Sequence, residues 1–423
     1  MTASTVDVAL VAPEATWNRA RKTGAVLAGL GLLATVVFGL LASSDTTHYS
    51  LGVDTSGTAL SIPGKLGAIL FGLIAFGAGL ALVLTQKRFG LWVSVSLGAF
   101  VVSAVCWQVS QADNGDTIPL GSLAQLTVLA ALPLIFGSIG GVLCERTGVV
   151  NVAIEGQLLT GAFVGAFLGS VAGSYWVGLL AAALGGVLIS ALLAFFAIRY
   201  LVDQVVIGIV LNTFALGITG YLYEQVMRSN TQAFNSPPRL PDLDIPLLEK
   251  IPILGPALFQ GTILKYAAML LVAVVTIALT RTRWGLRTRA VGEHPKAADT
   301  LGVRVLGLRY TNVLIAGAVA GFGGAYFSMA SATSFTKNLT GGAGFIALAA
   351  MIFGRWQPIG ALLASLFFGF ASALATTLGT MGTPIPSEFL NMLPYIATIF
   401  AVAGLVGRVR APAADGKPYE KGH

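Results

Sequence analysis

The sequence predicts an all-α, polytopic membrane protein of about 12 transmembrane helices. Three observations carry this. Apolar residues make up 55% of the chain and charged residues only 10%, where a soluble domain carries about a quarter charged. Apolar stretches of about 20 residues, enough for a helix to cross a bilayer, recur along the chain. Lys and Arg gather in alternate connections, on one side of the resulting layout.

In order, spans are expected near 24–42, 66–84, 90–111, 120–142, 151–173, 176–198, 204–225, 263–280, 311–332, 358–379 and 388–407. A shorter apolar stretch, 341–354, is a twelfth, either a short span or half of a broken one buried in protein. With the N-terminus cytoplasmic, the inner connections hold Arg19, Arg21, Lys22, Lys87, Arg88, Arg146, Arg199, Arg355 and the bases of the 281–310 loop. The tail bases Arg408, Arg410, Lys417 and Lys421 also fall inside. The outer side keeps most of the loop acids, including Asp45, Asp54, Asp113, Asp116, Asp242, Asp244 and Glu249. Both termini are therefore expected in the cytoplasm. The first span has basic flanks like a signal peptide, but its apolar run exceeds the usual ~7–15 residues. It is read as a retained span.

The net charge of +7 follows from this asymmetry and does not point to nucleic acid. Cys106 and Cys144 lack partners at metal-ligand spacing, and His48, His294 and His423 are scattered. Neither a metal site, a disulfide framework nor a catalytic constellation is expected. The chain carries no G-x-x-x-x-G-K-[ST] phosphate loop. No cofactor is expected on this chain, and any ATP must bind a separate one. The outer stretch 226–262 contains Pro237, Pro238, Pro241, Pro246, Pro252 and Pro256, so it cannot be one regular helix. It reads as a connector or as part of a docking face for an external partner.

Two segments carry more specific information. Glu145 to Gln157 joins one apolar run to the next, and Asn151, Glu155 and Gln157 stand at the start of a span. An unpaired carboxylate deep in the bilayer is costly, so Glu155 should meet a partner, a wet cavity or the rim. These residues either tie down a helix start or line a translocation path. Asn212, mid-span, either joins them at the path or bonds between helices. Gly161, Gly165, Gly169 and Gly173 then form a four-residue ladder suited to close helix packing. The second segment, Arg289 to Val303, lies in the most basic loop. Pro295 suits a first helical turn, Lys296 to Leu301 can form a short helix, and Gly302 can stop it.

Taken together and in order, these segments resemble the permease family that serves branched-chain amino acid, simple sugar and nucleoside ABC importers. Gly148 to Ala162 resembles that family's signature, and Ala290 to Gly302 resembles its coupling loop. Ala316 to Gly324 is similar too, and the likeness covers about 120–407. The resemblance implies a ten-span core in the vitamin-B12-type importer fold over 90–410, preceded by two added spans in 1–89 and followed by a tail, 411–423. It implies ATP-binding subunits docked on loop 281–310 through Glu293, Ala297, Ala298 and Gly302. It further implies a homologous second permease subunit, an extracytoplasmic substrate-binding lipoprotein, and a bacterial plasma membrane. The wording around Asn151 to Gly156 is most similar to nucleoside permeases; sugar and branched-chain amino acid remain alternative cargoes. An ion-coupled secondary transporter is the rival class, and it would need an ionisable group near mid-membrane.

Overall fold

The computed structural model describes residues 18–53, 60–111, 117–381 and 410–421, with isolated positions at 386, 388–389, 392 and 394–395. The expected last span, 388–407, lies almost wholly outside the described residues, as do Asp54, Asp113, Asp116, Arg408 and His423. Among the described residues, ten helices are long and apolar enough to cross a membrane, and an eleventh apolar helix is shorter. The chain is therefore a polytopic, all-α membrane protein, and the remaining expected span is the undescribed one.

The chain divides into two compact units. The first is built on α1 (Arg19–Leu41), α2 (Gly64–Thr85) and α3 (Phe89–Val109). Its helices pack through small residues, as helices do where lipid offers no hydrophobic drive. A side chain at Gly31 would overlap the backbone of Phe76, and one at Gly79 would overlap Ala28. Ser96 and Ser103 donate to the carbonyls of Ala75 and Ala68 at 2.9 and 2.6 Å. By its contacts α3, which follows the division expected at residue 89, packs with the two helices before it. The cause is local. Gln86 and Arg88 adopt left-handed backbone, so a three-residue turn folds α3 straight back along α2.

The second unit holds α4 (Leu120–Glu145), α5 (Ile154–Ala172), α6 (Tyr175–Arg199), α7 (Gln204–Met227), α8 (Ile263–Arg281), α9 (Arg283–Glu293), α10 (Pro295–Thr300), α11 (Val305–Ser331), α12 (Ala343–Phe353) and α13 (Pro358–Thr380). Helix α4 is the most buried span. Helices α5, α6 and α11 meet where Gly161, Gly186, Gly317 and Gly321 leave no room for a Cβ. Of the ladder residues, Gly165 and Gly169 lie against Gly178, and a Cβ at Gly173 would meet nothing within 4 Å. This last glycine takes φ +60° and ends α5 as a left-handed cap with open space beside it.

One face of this unit carries the 146–153 turn, α9, α10 and the tail 410–421; it is called here the basic face. The opposite face carries the 228–262 connection. There Asn235 exchanges two hydrogen bonds with the backbone of Phe335, at 2.7 and 2.8 Å. Leu243 and Ile245 donate to Gly261 and Phe259. This gives the proline-rich stretch a folded-back form in which only short helical turns, Thr231–Phe234, Leu248–Lys250 and Gly255–Phe259, occur.

Candidate functional site: a braced crossover in the middle of the bundle

Helices α5 and α12 both begin inside the bundle. Ala347 and Met351 of α12 lie against Gly137 and Gly141 of α4, so α12 runs alongside α4 in the same direction. By that register its first residue is level with Pro133, halfway along a 26-residue helix. Ile154, the first residue of α5, touches Gly137 and Gly141 too. Two helix N-termini, each with unsatisfied N–H groups, therefore converge at membrane depth.

Glu155 resolves this. Its carboxylate accepts from the Thr340 hydroxyl at 2.6 Å and from the backbone N–H groups of Gly342 and Gly344 at 2.9 and 2.6 Å. It sits in the first turn of its own helix and caps the start of another, so both dipoles favour its charge. Its surroundings leave it buried, with both oxygens engaged.

The other expected residues form a continuous brace around it. Asn151 and Gln157 pair side chain to side chain, each amide nitrogen 3.1 Å from the other's oxygen, and Gln157 also donates to Ser190 at 2.8 Å. Asn212 accepts from the Gly156 N–H at 2.8 Å and donates to the Val152 carbonyl at 2.9 Å. All are buried within the chain. The structure brings Asn151, Glu155, Gln157 and Asn212 together and gives each an internal partner. Two members were not singled out from sequence. Gln204 accepts from the Val150 N–H at 2.7 Å. Glu145 accepts from Trp356 Nε1 at 2.5 Å and from the Asn151 N–H at 3.2 Å. Glu145 ends an apolar run, which was the available signal.

The basic face continues this brace. Gly292 of α9 presses on the Arg146 carbonyl, where no Cβ fits. The tail crosses the same place, with Ala414 N–H donating to Gly292 O at 2.8 Å and Ala413 N–H to Glu293 at 3.3 Å. Arg309 holds Thr147 O and Lys417 O, both at 3.1 Å. Asp415 lies beside Glu145, and burial pushes its carboxyl up to about 7. Arg146 is held below the usual guanidinium value, chiefly by burial.

Helix α10 forms where expected, and Gly302 follows it with φ +82°. Its two alanines differ. Ala298 is buried against Val291, Val305 and Tyr419, while Ala297 faces out. Leu301, at 85% exposure, is the most exposed large apolar side chain among the described residues.

Residues 123–402 match the family described as branched-chain amino acid transport system / permease component. The chain belongs to this family. It is a permease, the membrane component of a transport system. It is 41% identical over 314 residues to the guanosine ABC transporter permease protein NupQ of Bacillus subtilis, covering 72% of this chain and 98% of that one. It is 41% identical over 303 residues to the nucleoside ABC transporter permease protein NupC of Lactococcus lactis, covering 70% and 95%. It is 34% identical over 256 residues to the putative glucose ABC transporter permease protein TsgC13 of Haloferax volcanii, covering 60% and 76%. No solved structure matches.

Proposed function

We propose that this permease is the membrane-spanning subunit of an ABC importer that carries nucleosides. The observation that carries this is the 41% identity to two permeases named for guanosine and nucleosides, along nearly their whole length. The glucose-named relative, at 34% over a shorter stretch, supports a sugar as second reading. The basic face is cytoplasmic, with both termini inside, as the distribution of Lys and Arg favours. ATP binds and is hydrolysed on separate subunits that dock there. Leu301 is the apolar knob for that docking, flanked by Ala297, while Ala298 anchors α10 to this chain and Glu293 holds the tail. A substrate-binding lipoprotein delivers cargo to the opposite face. That face has a cavity of about 570 Å³ lined in part by Gln125, Arg239, Asp242, Gln260 and Tyr326.

The path runs between this subunit and a homologous second permease. Asn151, Glu155, Gln157 and Asn212 belong to its wall and hold that wall in shape. An ion-coupled carrier is less well supported, because Glu155, the mid-span carboxylate such a carrier would need, is engaged by three donors of this chain. The test is uptake of labelled uridine and guanosine, with ribose, glucose and leucine as controls. Cells lacking the gene are compared with complemented cells. Loss of nucleoside uptake alone, restored by complementation and abolished by ATP depletion but not by ionophores, is expected. Loss of glucose or ribose uptake alone would replace the cargo. Collapse with ionophores while ATP is kept high would overturn the importer.

A further inference from the structure

Between α11 and α12 the chain descends from the outer end of the bundle to its middle without forming a helix. At the upper end, Phe335 packs edge-on against Phe163 and Tyr223 and is fixed by Asn235. At the lower end, Gly342 is held by Glu155 at mid-span height. The residues between, Thr336 to Gly341, are irregular: Asn338 and Gly341 adopt left-handed backbone, and the Gly341 N–H bonds only across the local turn to Asn338 O.

Irregular backbone at this depth cannot face lipid, because its peptide groups would go unsatisfied at several kcal/mol each. It must be covered by protein or border water. Within this chain, Thr336, Lys337, Asn338 and Gly341 are exposed. A Cβ at Gly341 would meet nothing within 4 Å. These side chains are polar or absent, and among the described residues neither the Thr336 hydroxyl nor the Asn338 carboxamide has a hydrogen-bond partner. Lys337 is different. It pairs with Glu224 at 2.7 Å, and Glu224 also pairs with Arg228 at 2.9 Å. Both cations are thus tied to Glu224 at the end of α7, and the uncharged Thr336 and Asn338 flank Lys337 in the segment.

We propose that segment 336–341 is the lining of the outer half of the translocation path, and that Thr336 and Asn338 are its contacts with cargo. The inference rests on the importer reading above. A hydroxyl and a carboxamide offer both donors and acceptors to a neutral solute rich in hydroxyl and amide groups, such as a nucleoside. Neither group would hold an ion tightly. The ion cluster of Glu224, Lys337 and Arg228 marks the entry. Glu155 keeps the segment in place from behind, through Thr340 and Gly342, without facing the cargo itself.

The test uses the complete importer in cells, with Cys106 and Cys144, both buried, replaced by alanine. Thr336→Cys and Asn338→Cys are compared with Leu184→Cys on the exposed apolar face of α6. A charged, membrane-impermeant thiosulfonate is applied from outside. The expected result is rapid labelling at 336 and 338 but not at 184, with uridine uptake falling at least tenfold on labelling. Saturating uridine should slow that labelling. If 336 and 338 are as unreactive as 184, or if fully labelled protein still transports at the unlabelled rate, the lining is refuted. The labelling arm does not depend on the cargo. Labelling at 336 and 338 in an importer that takes up glucose but no nucleoside would overturn the cargo reading and leave the lining intact. Thr336→Cys carries the test if Asn338→Cys, at its left-handed position, fails to reach the membrane.

Discussion

Replacing Glu155 with glutamine removes a charge and almost no volume. The carboxylate accepts three hydrogen bonds, two at one oxygen and one at the other. An amide has a single acceptor oxygen. If that oxygen keeps Thr340 and Gly342, the new NH₂ points at the Gly344 N–H. One charge-assisted bond is then lost, worth roughly 1.5–3 kcal/mol, and a buried N–H is left unpaired at about 1–3 kcal/mol. The contributions overlap, so a net destabilisation of about 3 kcal/mol is expected. Alanine leaves all three donors unmet and should cost more. The measurement is thermal unfolding of the purified complex in nanodiscs, read beside the concentration dependence of uptake. Glu155→Gln should lower the unfolding temperature and the amount of transporter, while the surviving protein keeps the wild-type half-saturation concentration. The opposite pattern, unchanged unfolding with a half-saturation shifted tenfold or more, would refute the capping role and make Glu155 a direct cargo contact.

Three further outcomes follow from the same geometry. Burial pushes the Asp415 carboxyl up from an ordinary 3.8 to about 7 beside Glu145, so the docked tail favours a proton on this pair of carboxyls that the released tail does not hold. Docking is then strongest at acid pH and weakens as pH rises through about 7; proteolysis of the 410–421 tail should be faster at pH 8 than at pH 5.5, and Asp415→Asn should shrink the difference. Leu301→Asp should leave the permease folded while ATP-binding subunits no longer co-purify, whereas Ala298→Trp should destabilise the chain itself, by roughly 1–3 kcal/mol or more as overpacking does; equal unfolding temperatures for the two variants would contradict this. Gly321→Val meets the backbone of Ala182 and Gly186 and should abolish accumulation in the membrane, while Gly173→Ala, in open space, should cost only about 1 kcal/mol for its left-handed backbone, as unfolding of the two proteins would reveal.

The spans were legible because each must be apolar for about 20 residues whatever it packs against. Helix α10 was legible because Pro295 and Gly302 punctuate it locally. Asn151, Glu155, Gln157 and Asn212 were legible as exceptional residues, since polar groups inside apolar runs must find partners. Their partners were not. Glu155 meets a segment 185 residues later; the sequence allows 341–354 to be half of a broken span, but nothing in Thr340 to Gly344 tells which residue caps its start. For the same reason 336–341 escaped notice: a polar stretch between two apolar runs looks like any exposed loop. Ala297 and Ala298 were indistinguishable by composition, and only the turn of the helix decides which one faces out.

The brace also has a consequence for how the two faces are connected. Gly292 of α9 rests on Arg146, and Arg146 donates to the Trp356 carbonyl at 2.7 Å. Trp356 and Asn151 both donate to Glu145. Asn151 is locked to Gln157, two residues beyond Glu155, and Glu155 holds the lower end of segment 336–342. Every link is a hydrogen bond or a backbone contact too close for a methyl group, so the series has little slack. Closely packed contacts of this kind shift between discrete arrangements rather than deform smoothly. Movement of α9 and α10 must therefore be taken up either by breaking a named bond in this series or by carrying the 145–155 turn with it. The second course moves the cap of α12 and the irregular segment above it. The series fixes where a break would show: loss of the Glu145–Trp356 bond would loosen the turn that follows α12 from the 145–151 turn, while leaving the α9 contact at Arg146 and Glu155 with its three donors in place.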